Sequence, residues 1–231
     1  KFRYLKVLPL SMNKLISIAS LILVSLCATA ATHDQVKPPA PSPQAMHANL
    51  EQISKNPASL TAALKDGEKA ASVCRHCHGA GGNSVLPEVP NLASQNSAYL
   101  LEQMNKFVSG QRKSSSFMEG LIKALTPDER IQIALFLSQQ SVTRKPAGTT
   151  AQSADGKQLF DKLCTGCHGK NGAGTQKIPR LAGQQVQYVE DSLKRYRSGT
   201  GERIDPRMAA YTRNLKDADI QNLAAYLSTM P

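Results

Sequence analysis

The chain has 231 residues, a formal charge of +11, only 5% aromatic residues with no Trp, and five cysteines. That length suits two small domains better than one large one, and so few aromatic side chains leave a lean core. The excess of positive charge raises nucleic acid as a partner, a reading that the export signal described next argues against.

Basic residues run up to Lys14, followed by an apolar stretch from Leu15 to Cys27 and then Ala28-Thr29-Ala30. This is the order of a secretory signal peptide, with cleavage expected after Ala30, so 1–30 is read as a leader and the mature protein as exported. The apolar run of 13 residues is short for a bilayer span, which weighs against an uncleaved anchor. Met12-Asn13-Lys14 is the more ordinary leader start, leaving 1–11 as candidate untranslated sequence. Leu26 is too bulky to precede a lipidated Cys27. Residues 31–50, rich in Ala and Pro, read as a disordered tail. Four of the positive charges, Lys1, Arg3, Lys6 and Lys14, belong to the leader, leaving +7. Residues 45–142 hold nine Lys or Arg against eight Asp or Glu, and residues 152–231 hold twelve against eight. The basic second half fits an acidic protein partner or an anionic membrane surface better than nucleic acid.

Residues 51–140 form the first predicted domain. Within it stands Cys74-Arg75-His76-Cys77-His78, and the same Cys-x-x-Cys-His pattern recurs as Cys164, Cys167 and His168. Two thiols on one helical turn can both bond the vinyl groups along a porphyrin edge, and the following His then points at the iron. A zinc site or a redox dithiol is the alternative for a lone copy. Two copies within a true repeat favour two covalent haems. Met118 lies 40 residues after His78, and Met208 lies 40 after His168. Imidazole on one side and thioether on the other give a low-spin iron that passes electrons.

Sliding the chain against itself supports the repeat. At an offset of 90 the pentapeptides coincide, and at 89 Pro90-Asn91-Leu92-Ala93-Ser94-Gln95 meets Pro179-Arg180-Leu181-Ala182-Gly183-Gln184. Tyr99 then falls on Tyr188 and Phe107 on Tyr196, and at 90 again Met118 meets Met208. Leu100, Met104, Phe107 and Val108 repeat at helical spacing. Thr126-Pro127-Asp128-Glu129 is a capping box with Pro at the first helical position, so a helix runs from there to about Gln139. Residues 141–152 read as a linker, and 153–231 as the second domain. There Val186, Val189, Leu193 and Tyr196, and then Ile220, Leu223, Ala224 and Leu227, mark two more helices. No alternating strand pattern appears, so the fold class is all-α. A buried porphyrin would supply the apolar area that the side chains lack, which makes the haem-free chain largely unfolded on this reading.

Met104 is also downstream of His78, but its repeat partner is Leu193, which a ligand position should not tolerate. Met118 and Met208 follow segments that read as loops able to cross the distal face. His33 and His47 lie in the predicted tail and His76 lies between haem cysteines, so bis-His coordination is the minor reading. Tyr99, Tyr188, Phe107 and Tyr196 read as core. Arg112, Lys113, Arg203 and Arg207 are candidates to pair with haem propionates, with a solvated charge as the alternative.

These residues resemble class I cytochrome c domains, and their tandem arrangement is similar to the c4-type dihaem cytochromes c of bacterial periplasms. The resemblance covers roughly residues 60–231. It rests on the pentapeptides, Gly156-Lys157-Gln158-Leu159-Phe160, the Pro-x-Leu-Ala-x-Gln segments, the two Met residues and Leu223-Ala224-Ala225-Tyr226-Leu227. It implies two tandem class I cytochrome c-like helical domains, each around one covalent haem c. It also implies that the carbonyls of Pro90 and Pro179 accept from the proximal His, though both prolines also serve to turn the chain. The first copy, Gly67-Glu68-Lys69-Ala70-Ala71, lacks the aromatic that Phe160 provides, so its first and last helices should touch more weakly and its domain should be the less stable. The function implied is electron transfer between a respiratory donor complex and a terminal oxidase or reductase. The cytochrome subunit of a flavocytochrome (sulfide) dehydrogenase or other periplasmic dehydrogenase stands beside it. Catalysis by the chain itself needs an open iron position, which two available Met ligands argue against.

Overall fold

The computed structural model describes residues 40–143, 150–200 and 205–230. The predicted leader, His33, residues 144–149 of the predicted linker and Arg203 lie outside them. All regular structure among the described residues is helical. The first repeat comprises α1 (Pro43–Lys55), α2 (Pro57–Ala70), α3 (Arg75–His78), α4 (Ser97–Val108), α5 (Ser116–Ala124) and α6 (Pro127–Ser138). The second comprises α7 (Thr150–Leu163), α8 (Thr165–His168), α9 (Val186–Ser198), α10 (Pro206–Thr212) and α11 (Asp217–Thr229).

Helices α2 to α6 correspond one to one with α7 to α11, and α1 has no counterpart. In each repeat the first long helix packs along the last, α2 on α6 and α7 on α11, while α4 or α9 crosses beside them. The close crossing is built on glycine. A Cβ at Gly67 would run into the carbonyl of Gln132 on α6, and one at Gly156 would run into the carbonyl of Asn222 on α11. The two acceptor residues are themselves repeat partners, so both crossings have the same register. The predicted capping box is present: Thr126 Oγ1 accepts from Glu129 N at 3.2 Å, and Glu129 Oε2 accepts from Thr126 N at 2.8 Å.

Helix α1 corrects the predicted tail, which had extended to residue 50. Ser42 Oγ accepts from Ala45 N at 3.2 Å, Pro43 fills the first helical position, and Met46, Leu50 and Ile53 make a stripe at helical spacing. Met46 and Leu50 are buried in one cluster with Ile131 and Leu135, and α1 packs on α2, α4 and α6. Fully burying each such side chain contributes about 1.5–3 kcal/mol. The Pro/Ala composition that suggests an extended tail also starts a helix when Ser precedes the Pro. The predicted linker likewise ends early, because α7 begins at Thr150.

Candidate haem-binding site

Each pentapeptide forms a single turn, α3 or α8, that ends on its histidine. Cys74 and Cys164 are half-buried and Cys77 and Cys167 exposed, none of them in a disulfide. Burial pushes the Cys74 thiol up, and burial with the neighbouring Cys167 pushes the Cys164 thiol up to about 11. His78 and His168 are buried, and each ring is fixed by one bond. His78 Nδ1 donates to the carbonyl of Pro90 at 2.9 Å, and His168 Nδ1 donates to the carbonyl of Pro179 at 3.0 Å. With Nδ1 held by a carbonyl, Nε2 is the nitrogen left to coordinate. Burial holds both imidazoles below the usual histidine range, against the opposing effect of the proline bonds. Arg112 lowers His78 further, whereas Asp205 raises His168. The neutral ring that results is the form that binds a metal.

One cavity of about 470 Å³ receives Cys74, Cys77, His78, Pro90 and Met118 from the first repeat and Cys164, Cys167, His168, Pro179 and Met208 from the second. All the candidate site residues therefore face a shared space. Its walls include Leu100, Met104, Phe107 and Ile122 from one repeat and Val189, Leu193, Tyr196 and Leu223 from the other. Tyr99 and Tyr188 line it as well, so the aromatics predicted as core stand at the cavity face. Ser192, buried on α9 and lining the same cavity, has an Oγ with no hydrogen-bond partner. Two thiols, a neutral imidazole and a thioether in each half, around apolar walls, form the donor set that a covalent porphyrin requires. The residues fit that group.

The two methionines do not sit in open loops, as the sequence suggests, but in the first turns of α5 and α10. Their backbone N–H groups are held by the residue three positions earlier. Ser115 Oγ accepts from Met118 N at 3.2 Å, and Asp205 Oδ1 accepts from Met208 N at 3.3 Å. Such caps fix the start of a short helix and with it the position of the thioether. Burial pushes the Asp205 carboxyl up, but bonds from the Arg207 side chain and from Met208 N and Arg207 N bring it below its ordinary value.

The remaining candidates have other surroundings. His47 is on α1, with Nε2 at 3.4 Å from Glu102 Oε2, and His76 is exposed with Nδ1 on the carbonyl of Val73. Arg112 lies over the Phe107 ring at 4.7 Å and donates to Gln103 Oε1, Arg207 bonds Asp205, and Lys113 is exposed.

Sequence reasoning missed a set of polar contacts between the repeats. Gln95 Oε1 accepts from Arg180 N at 2.7 Å, and its Nε2 donates to the carbonyl of Arg180 at 3.0 Å. Gln184 makes the same pair to Asn91, 2.7 Å to N and 3.0 Å to O. Asn91 and Arg180 are repeat partners, so the contact is pseudo-twofold. Gln185 and Asn96 add further bonds across the boundary. The available signal was a glutamine present at the same position of both copies of the Pro-x-Leu-Ala-x-Gln motif.

Comparison with known proteins agrees with this geometry. The cytochrome c family model matches residues 153–231. A cytochrome c4 of Pseudomonas aeruginosa is 34% identical over 173 residues, which is 70% of this chain and 85% of that protein. The thiosulfate dehydrogenase electron acceptor of Stutzerimonas stutzeri is 29% identical, over 74% of this chain and 89% of its own length. The crystal structure of reduced cytochrome c4 from Pseudomonas stutzeri matches with a TM-score of 0.66 at 29% identity, covering 72% of this chain and 98% of that one.

Proposed function

Because the chain belongs to the c4-type dihaem cytochromes c, and so is an electron-transfer cytochrome rather than an enzyme, we propose that it shuttles electrons in the periplasm between a respiratory donor complex and a terminal oxidase or reductase. The carrying observation is the duplicated donor set around one cavity, His78 and Met118 with the thiol pair Cys74/Cys77 and His168 and Met208 with the pair Cys164/Cys167; the imidazole and thioether of each set would hold one haem iron. Bound there, two covalent haem c groups supply one-electron redox chemistry. The chain's own part is to hold them. Pro90 and Pro179 orient the imidazoles, Ser115 and Asp205 place the thioethers, and the apolar walls exclude water. The leader at 1–30 directs export, and each repeat holds one haem.

In this reading the basic second repeat docks on an acidic surface of the redox partner, with peripheral association at the membrane where that partner sits and no role for nucleic acid. Transfer to the acceptor complex should therefore slow as ionic strength rises through the range in which exposed charges are screened. A rate unchanged between low and high salt removes the docking argument.

The likeness to a thiosulfate dehydrogenase electron acceptor favours a second reading, in which the immediate donor is a periplasmic dehydrogenase to which this chain serves as cytochrome subunit. Purification from the native host decides between the two. A catalytic chain that stays bound in stoichiometric amount selects the subunit role, and a free dihaem protein selects the shuttle.

A further inference from the structure

The amide joining Pro90 to Asn91 is bonded at both ends. Its carbonyl accepts from His78 Nδ1 at 2.9 Å, and its N–H donates to Gln184 Oε1 of the other repeat at 2.7 Å. The amide joining Pro179 to Arg180 repeats the arrangement, with His168 Nδ1 at 3.0 Å on the carbonyl and Gln95 Oε1 at 2.7 Å from the N–H. Each proximal histidine is thus connected, through one conjugated peptide group, to a glutamine of the opposite repeat. Both glutamines are buried, at 6% and 7% exposure, so water does not compete for the contact. Their orientation is fixed, because the other arm of each amide must be the donor that reaches the carbonyl of Asn91 or Arg180.

An acceptor on a peptide N–H polarises the group and puts more negative charge on its carbonyl oxygen, and linked hydrogen bonds strengthen one another in this way. A stronger bond from that oxygen to the imidazole N–H makes the ring a better electron donor to the metal it ligates. Electron donation favours the oxidised iron and lowers the reduction potential.

We propose that each buried glutamine tunes the haem of the opposite repeat: Gln184 sets the potential at His78, and Gln95 sets the potential at His168. The two act as positioning residues, through the peptide group that each one bonds. The proposal rests on His/Met ligation in both repeats. Its consequence is that loosening the contact between repeats, as by a docking partner, raises both potentials together.

The test is a spectroscopic redox titration of the holoprotein, with the two waves first assigned through Met118→His and Met208→His, each of which lowers one wave. Gln184→Met keeps length and volume but removes the acceptor. It is expected to raise the wave of the first-repeat haem, by up to about tenfold in the reduction equilibrium or ~59 mV for one electron, and to leave the other in place. Gln95→Met is expected to do the reverse. Gln184→Glu restores an acceptor oxygen and should return the first-repeat wave to its original position or below. A shift confined to the haem of the substituted repeat, equal shifts of both, or no shift in any of the three variants overturns the proposal. The ligand assignment is judged separately on the unsubstituted protein: fewer than two haems, or a ferric spectrum without the weak sulfur-to-iron band, contradicts that reading rather than this one.

Discussion

Where the second repeat packs Phe160 against Tyr226, with ring centroids 5.6 Å apart, the first has Ala71 and Phe136 at the corresponding positions and covers its core with an additional helix. The cover changes the last helix. On α11 the buried positions follow one stripe, Ile220, Leu223, Ala224 and Leu227, whereas α6 also buries Ile131 and Leu135 in the cluster that holds Met46 and Leu50. The first repeat also buries a charged side chain in its interior. At the position of Ile220 it buries Arg130, whose Nη1 donates to Asn105 Oδ1 at 3.2 Å while its Nε has no partner. A buried cation so thinly satisfied is costly. A missing aromatic is thus offset by an added layer, and the same repeat buries an arginine.

The largest expected effect is common to both repeats. Chain made without haem should show no cooperative thermal transition, because Leu100, Phe107, Val189 and Tyr196 would face a wet cavity instead of a porphyrin. Circular dichroism on heating checks this, and a sharp native-like melt would refute it. The next effects separate the repeats. Phe160→Ala should cost about 3–5 kcal/mol in the second, and Leu50→Ala about 2–5 kcal/mol in the first. Haem absorbance followed through denaturation, with each repeat marked by its Met→His variant, reads them separately. Equal losses from both haems in either variant would show that the repeats melt as one.

Smaller effects test the likeness instead of the difference. Gly67→Ala and Gly156→Ala should each cost about 1–3 kcal/mol, by similar amounts, because both force a Cβ against the carbonyl of the last helix. Denaturant midpoints check it, and a neutral outcome at one site would break the shared register. The smallest effect is at Ser94, which holds φ 57° where its partner Gly183 holds 71°. Ser94→Gly should stabilise by ~0.5 kcal/mol, the relief of a left-handed Ser being partly offset by the freer unfolded chain.

Helices α4, α9 and α11 were legible from their apolar period, and α6 from Thr126 to Glu129, a capping box that the structure contains. The candidate ligands were legible from the repeat, which set Met118 over Met208 and Met104 over Leu193. Helix α1 was hidden by a composition that suits a tail, although the second apolar stripe on α6 needed a partner. The caps at Ser115 and Asp205 were read as loop, since a helix as short as α10 offers little periodicity. The glutamine contacts were missed for another reason: a side chain bonding main chain some 85 to 93 residues away leaves no local pattern beyond the repeated glutamine itself.

The central claim is that each repeat places imidazole and thioether on one haem iron. A redox titration of purified holoprotein, with the ferric spectrum and the iron content recorded on the same sample, measures this most directly. Two irons per chain, two one-electron waves and a sulfur-to-iron band that is lost when Met118 and Met208 are both replaced are the predicted result. One iron per chain, or a band that survives the double replacement, would contradict it.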